Sequence, residues 1–78
     1  MDPDKKQLQI ASRIRTAREN AGLSQGQAAK LLGVARPTIT ECEAGRRKVT
    51  AVELTAMAKT YGVGVAWLAG EVGDAASP

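Results

Sequence analysis

The 78-residue sequence has no histidine, no phenylalanine, and only one each of cysteine, tryptophan and tyrosine. Each shortage removes chemistry. Without histidine, no Ser/His or Cys/His nucleophile pair can form. Cys42 alone gives neither an internal disulfide nor a thiolate metal site, so no metal and no cofactor are expected. Eight carboxylates remain, yet nothing in their spacing marks an acid/base pair. A domain of this size also leaves little room for a buried cleft. Long apolar runs are missing too. None approaches the roughly 18 residues of a membrane span, and no apolar leader segment follows the N-terminus. The chain is expected to be soluble and intracellular, with no enzymatic activity and no membrane partner.

What is present is alanine, fourteen residues of it. The length fits one domain, and so short a chain buries only about 60% of its unfolded surface. A core built from so much alanine calls for closely packed helices, because alanine is the best helix former and adds little to a sheet face. Charge is concentrated in the middle. Between Gln9 and Thr50, eight basic residues (Arg13, Arg15, Arg18, Lys30, Arg36, Arg46, Arg47, Lys48) face only Glu19, Glu41 and Glu43, leaving +5 in a chain of net +3. Such a segment points to a polyanionic partner, although +3 in total also serves ordinary solubility.

Glycine and Ser/Thr positions divide the chain into helices. Asp2-Pro3 reads as an N-cap followed by proline in the first turn. Ile10, Ile14, Ala17 and Ala21 then line one helical face, and Gly22 ends the helix. Ser24 with Gln27 forms a capping box. The short helix it opens carries Ala28, Ala29 and Leu32 inward and stops at Gly33. A third helix begins near Arg36-Pro37, directs Ile39 and Cys42 inward, and closes at Gly45. The basic loop Arg46-Arg47-Lys48-Val49 follows. Thr50 with Glu53 is a second capping box, opening a helix with Leu54, Met57, Ala58 and Tyr61 on one face and Gly62 at its end. A last short helix runs from Val65 to Ala69. Glu71 to Pro78 lacks periodicity and is expected to fray.

The expectation is an all-α domain of five short helices with no strand. The tight central pair leaves almost no connecting chain, so its helices must cross steeply, at roughly 90–120°. Ala29 suits a close crossing, and Gly33 permits a positive φ in the turn.

These residues carry a resemblance. Ile14-Arg15, Arg18-Glu19, Gly22-Leu23-Ser24-Gln25, Ala29, Leu31-Leu32-Gly33-Val34, Thr38-Ile39-Thr40 and Glu43-Ala44-Gly45-Arg46-Arg47 occur in order. Leu54, Met57-Ala58, Tyr61-Gly62-Val63 and Trp67-Leu68-Ala69-Gly70 continue the series. Together, from about Ile10 to Gly70, the sequence resembles the lambda-repressor-like, or Xre-type, helix-turn-helix family of phage repressors, Cro proteins and small bacterial regulators. The resemblance implies a cytoplasmic, homodimeric regulator that binds double-stranded DNA, in a bacterium or a phage host. Residues 1–9 would extend helix 1, residues 10–70 form the domain with its central pair at about 24–45, and residues 71–78 form a flexible tail.

In this docking mode the second helix of the pair lies in the major groove with its N-terminal residues at base edges. Arg36 is the first candidate for base readout, donating twice to guanine O6 and N7; its alternative is a phosphate. Pro37 offers apolar contact or simply fixes the helix start. Thr38 and Thr40 can meet phosphate or base, or stay neutral on the surface. We place Thr38 with the phosphate contacts and Thr40 with the base contacts. Glu41 can accept from cytosine N4, or pair with Arg36 or Arg46 and set their direction. Gln25 resembles the family's phosphate-clamping glutamine at a helix N-terminus. Arg46, Arg47, Lys48 and Thr50 are expected at phosphates, giving affinity without sequence information. The resemblance also implies that Arg18 pairs with Glu43 as scaffold.

Three positions depart from the family pattern. Ala35 stands where a Ser or Thr N-cap is usual, Ala44 where a phosphate-binding Asn is frequent, and Cys42 where a larger apolar residue sits. Val63, Val65, Leu68 and Val72 are expected to supply a self-complementary patch about a two-fold axis, with Trp67 assigned to the core. Two recognition helices about 34 Å apart would face a roughly palindromic operator. No small-molecule ligand is expected. The competing reading is a protein-binding module, such as an antitoxin that also binds its own promoter.

Overall fold

The computed structural model describes residues 3–71. Among them are five α-helices and no strand: α1 (Pro3–Asn20), α2 (Gln25–Leu32), α3 (Arg36–Glu43), α4 (Ala51–Tyr61) and α5 (Val65–Leu68). No helix among the described residues is long and apolar enough to cross a membrane.

Local chemistry sets the boundaries. Pro3 opens α1, while its expected N-cap, Asp2, lies outside the described residues. Ser24 Oγ accepts from the Gln27 amide at 3.0 Å, and Gln27 Oε1 accepts from the Ser24 amide at 2.8 Å, so two otherwise orphaned donors are satisfied. Thr50 and Glu53 repeat this reciprocal pattern at 3.1 and 2.9 Å to start α4. Ala35, lacking a side-chain oxygen, gives α3 no side-chain cap. Its carbonyl nonetheless accepts from the Thr38 amide at 3.0 Å, and Pro37 in the first turn fixes the backbone there. α5 is one residue shorter than expected, because Ala69 is its C-cap.

Only Gly33, Val34 and Ala35 separate α2 from α3. Gly33 makes the turn possible by adopting a left-handed φ of +70°, a conformation that strains any residue with a Cβ. Val34 then donates back to Ala29 O at 3.0 Å and locks the chain reversal. α2 and α3 pack more extensively on each other than any other helix pair. Ala29, nearly inaccessible, lies in that packed core, where its small side chain lets the helices approach.

Ile14, Ile39, Cys42 and Leu68 are the largest fully buried side chains. Ala17, Ala28, Leu54, Met57, Ala58 and Tyr61 complete the core, with Ile10, Leu32, Val63 and Trp67 packed at its margin. Two expectations are corrected. Ala21 continues the helical spacing, but α1 has already ended at Asn20, so its side chain sits exposed in the turn. Leu68, expected at a dimer surface, is 0% exposed within the single chain. α5 packs against both α1 and α4, and Leu68 is consumed by that contact. α1 is also held at its start, where Gln7 Nε2 donates to Gly45 O at 2.7 Å and Lys6 Nζ to Gly70 O at 2.9 Å. Arg13 lies 5.1 Å from the centre of the Trp67 ring and donates to Trp67 O at 2.6 Å, pinning α5 to α1.

Enlarging the α2–α3 contact tests its closeness: Ala29→Leu should lower stability in urea unfolding by about 1–3 kcal/mol, whereas an unchanged midpoint would show a looser crossing. Tyr61, the sole tyrosine, is almost fully buried, and burial, reinforced by the nearby Glu43 charge, pushes its phenol up to about 12. The neutral phenol is therefore favoured in the folded state. Its contribution is intact below the ordinary value near 10 and is lost as pH rises towards 12. Ultraviolet titration should place the folded-state midpoint well above 10; ionisation near 10 without unfolding would contradict the burial.

Candidate nucleic-acid interface

α3 is two-sided. Ile39 and Cys42 point into the core, and burial raises the Cys42 thiol above its ordinary value, which leaves it an inert packing group. On the opposite side Arg36 and Pro37 are exposed, and Glu41 and Thr40 are half-exposed. At roughly 100° per residue, Pro37 lies opposite the Ile39–Cys42 side, with Thr40 and Glu41 about equally offset to its two sides and Arg36 at the N-terminal edge of the outward face.

A buried ion pair fixes the far end of this helix. Arg18 Nε donates to Glu43 Oε2 at 2.6 Å and Arg18 Nη2 to Oε1 at 3.0 Å, a bidentate fork between α1 and α3. The side chains are 10% and 4% exposed. Arg18 Nη1 donates to Leu23 O at 2.7 Å, so the guanidinium is also tied to the turn before α2. The hydrogen bond to Glu43 holds the guanidinium above its ordinary pKa despite the opposing effect of burial. Glu43 Oε1 accepts additionally from Gln25 Nε2 at 3.1 Å, and Gln25 Oε1 accepts from Thr40 Oγ1 at 3.0 Å. One network thus joins α1, the start of α2 and the outer edge of α3.

This network uses two expected contact residues internally. Gln25 keeps only one side-chain N–H for an outside partner, together with the N-terminal backbone donors of α2. Thr40 directs its hydroxyl proton inward, to Gln25 and, more weakly, to Arg36 O at 3.3 Å, so outward it can only accept.

A second pair decides which arginine partners Glu41 within the fold. Its partner is Arg46, not Arg36: Arg46 Nε donates to Oε1 at 2.9 Å and Nη2 to Oε2 at 3.1 Å. The Arg46 hydrogen bonds hold the Glu41 carboxyl below its usual range. Arg47 pairs with Glu53, whose carboxylate also caps the Thr50 amide, so Arg47 and Thr50 are both engaged at the start of α4. Arg36 and Lys48 are exposed, with no ion-pair partner among the described residues. Thr38 is half-buried beside an apolar groove formed by Leu32, Val34, Val52 and Met57.

Arg15 was not singled out from the sequence. It lines a cleft with Arg18, Gln25, Thr40, Glu43 and Ala44, and is only loosely held by Glu19 at 3.2 Å on an exposed helix face. The signal lay in its spacing, three residues before Arg18 and so on a neighbouring part of α1. Of the residues expected at a dimer surface, Val65 is 44% exposed, Val63 is half-buried, Leu68 is interior, and Val72 lies outside the described residues. No group of His, Cys, Asp and Glu suited to a metal ion occurs among the described residues.

A family model described as a helix-turn-helix domain matches residues 9–69. No curated protein matches the chain.

Removing one partner of the buried pair strands the other's charge. Arg18→Ala should destabilise the fold by about 3–5 kcal/mol in urea unfolding. A loss below about 1 kcal/mol, as for an exposed pair, would contradict the burial.

Proposed function

Because the chain belongs to the helix-turn-helix domain family, we propose that it is a sequence-specific DNA-binding transcriptional regulator, a homodimeric repressor that acts by occupying a roughly palindromic operator in the cytoplasm. The observation that carries this reading is the two-sidedness of α3: one side is sealed in the core by Ile39 and Cys42, while the other presents the exposed Arg36, which has no ion-pair partner among the described residues. A helix so anchored can enter the major groove without rearranging the fold.

In this reading Arg36 donates both arms of its guanidinium to a guanine, and Pro37 gives apolar contact to a neighbouring thymine methyl. Thr40 offers its hydroxyl oxygen, and Glu41 faces a base edge. Lys48 and Arg46 lie just beyond α3 and meet the flanking phosphates. Arg47, Thr38 and Thr50 add to the same side, Arg47 after giving up part of its contact with Glu53. Gln25 meets the backbone on the other side with the N-terminal donors of α2, helped by Arg15 across the cleft. Val63 and Val65 provide the two-fold contact, without Leu68. The exposure of Val65 supports this assignment.

Selection of duplexes from a random pool tests the proposal. The expected product is a symmetric motif with half-sites about one helical turn apart; recovery of no motif would overturn it. On that motif, Arg36→Ala should cost about 1–3 kcal/mol of specific binding and little non-specific binding. Equal losses on both would confine Arg36 to the backbone. Lys48→Ala should weaken binding to all sequences and flatten the salt dependence by about one unit of slope; an unchanged slope would remove Lys48 from the interface.

A further inference from the structure

The Glu41–Arg46 pair has features that phosphate binding does not explain. α3 itself carries one cation, Arg36, and two anions, Glu41 and Glu43. Glu43 is neutralised in the interior by Arg18. Glu41 instead sits on the outward side of α3, next to Pro37, which in this docking would face the groove between two phosphate backbones. A bare carboxylate there is repelled by DNA. Arg46 offsets that charge from outside the helix with a two-point fork, while 42% of the Glu41 side chain stays accessible. The fork takes one lone-pair site on each oxygen, and a carboxylate has about four such sites. Two remain, directed away from Arg46.

We infer that Glu41 is a specificity-determining residue that accepts a hydrogen bond from the N4 amino group of a cytosine in the major groove, and that Arg46 is its positioning residue. The inference rests on α3 lying in that groove. A carboxylate has only acceptors, so it is matched by an amino group and rejected by guanine O6 and N7 or thymine O4. Adenine offers an amino group beside the N7 acceptor, which opposes a carboxylate, whereas the major-groove edge of cytosine offers the N4 donor alone. Arg46 keeps the carboxylate charged and fixes its plane. On a wrong base Glu41 meets acceptors alone or, at adenine, a donor with an opposing acceptor beside it, so repulsion persists and it weakens non-specific binding as well as rewarding the right site.

The test uses the full chain and a pool of random-sequence duplexes, selected in parallel with wild type, Glu41→Gln and Arg46→Lys. Both residues lie on the surface, and urea unfolding of each variant checks that the fold is kept. Wild type should select a cytosine at one position of each half-site, preferred over guanine or thymine about five- to 150-fold. Glu41→Gln should change that position to adenine, because an amide pairs with adenine N6 and N7, and leave the other positions as they were. Arg46→Lys keeps the charge but loses the planar fork. It should preserve the salt dependence while relaxing the preference at that one position. A wild-type motif that Glu41→Gln leaves unchanged at every position overturns the role of Glu41. A cytosine preference that survives Arg46→Lys intact overturns the positioning role of Arg46. Failure of wild type to select any motif overturns groove reading itself, a separate result from either of these.

Discussion

Both oxygens of Glu43 accept from Arg18 with almost no access to water, and through them the end of α3 is tied to α1. In a low-dielectric setting such a pair persists only when its geometry satisfies nearly every donor and acceptor. Here it does: the third nitrogen of Arg18 reaches Leu23 O, and Glu43 collects a further donor from Gln25. The pair therefore fixes three things together, namely the tilt of α3 on α1, the turn leading into α2 and the side chain of the first α2 residue. A hydrophobic contact of equal size would hold the helices together without choosing among rotations of α3. The directional contacts select one rotation, the one that turns Arg36, Pro37 and Glu41 outward.

The anions of α3 and of the start of α4 are each paired with a cation from outside their own helix. Glu43 takes its partner from α1, Glu41 from the loop after α3, and Glu53 from the same loop through Arg47. Arg36 and Lys48 are left as the exposed cations without such partners among the described residues of α3 and its loop. The positive segment seen in the sequence is thus less uniformly positive in space than its net +5 suggests. A surface arranged in this way favours selectivity over indiscriminate attraction to polyanions.

Helix boundaries were legible because they depend on neighbours in sequence. Ser24 with Gln27, Thr50 with Glu53 and the glycine after each of α2, α3 and α4 act within one helical turn, and the structure realises each at its expected place. The inward faces of α2, α3 and α4 were legible from spacing alone. Side-chain partners across elements were harder to read. Spacing leaves Arg36 and Arg46 as equal candidates for Glu41, and only the path of the chain after Gly45 brings Arg46 to it. Gln25 reads as a residue facing outward, yet the approach of α3 turns its amide to Glu43 and Thr40. Leu68 reads as surplus apolar surface on the short helix from Val65 to Ala69, because a periodicity argument has no means of seeing α1 and α4 close over it. Arg13 meets Trp67 for the same tertiary reason.

The central claim is that the outward face of α3, held by the Arg18–Glu43 contact, is the surface that enters the groove. Amide chemical-shift mapping by NMR, on adding the duplex recovered by selection, tests this most directly. The account predicts that the largest changes fall on Arg36 and residues 38–41, the loop 46–50 and the start of α2, with the core amides of Ile14 and Leu54 nearly still. Changes centred on α4 and α5, with α3 unaffected, would contradict it.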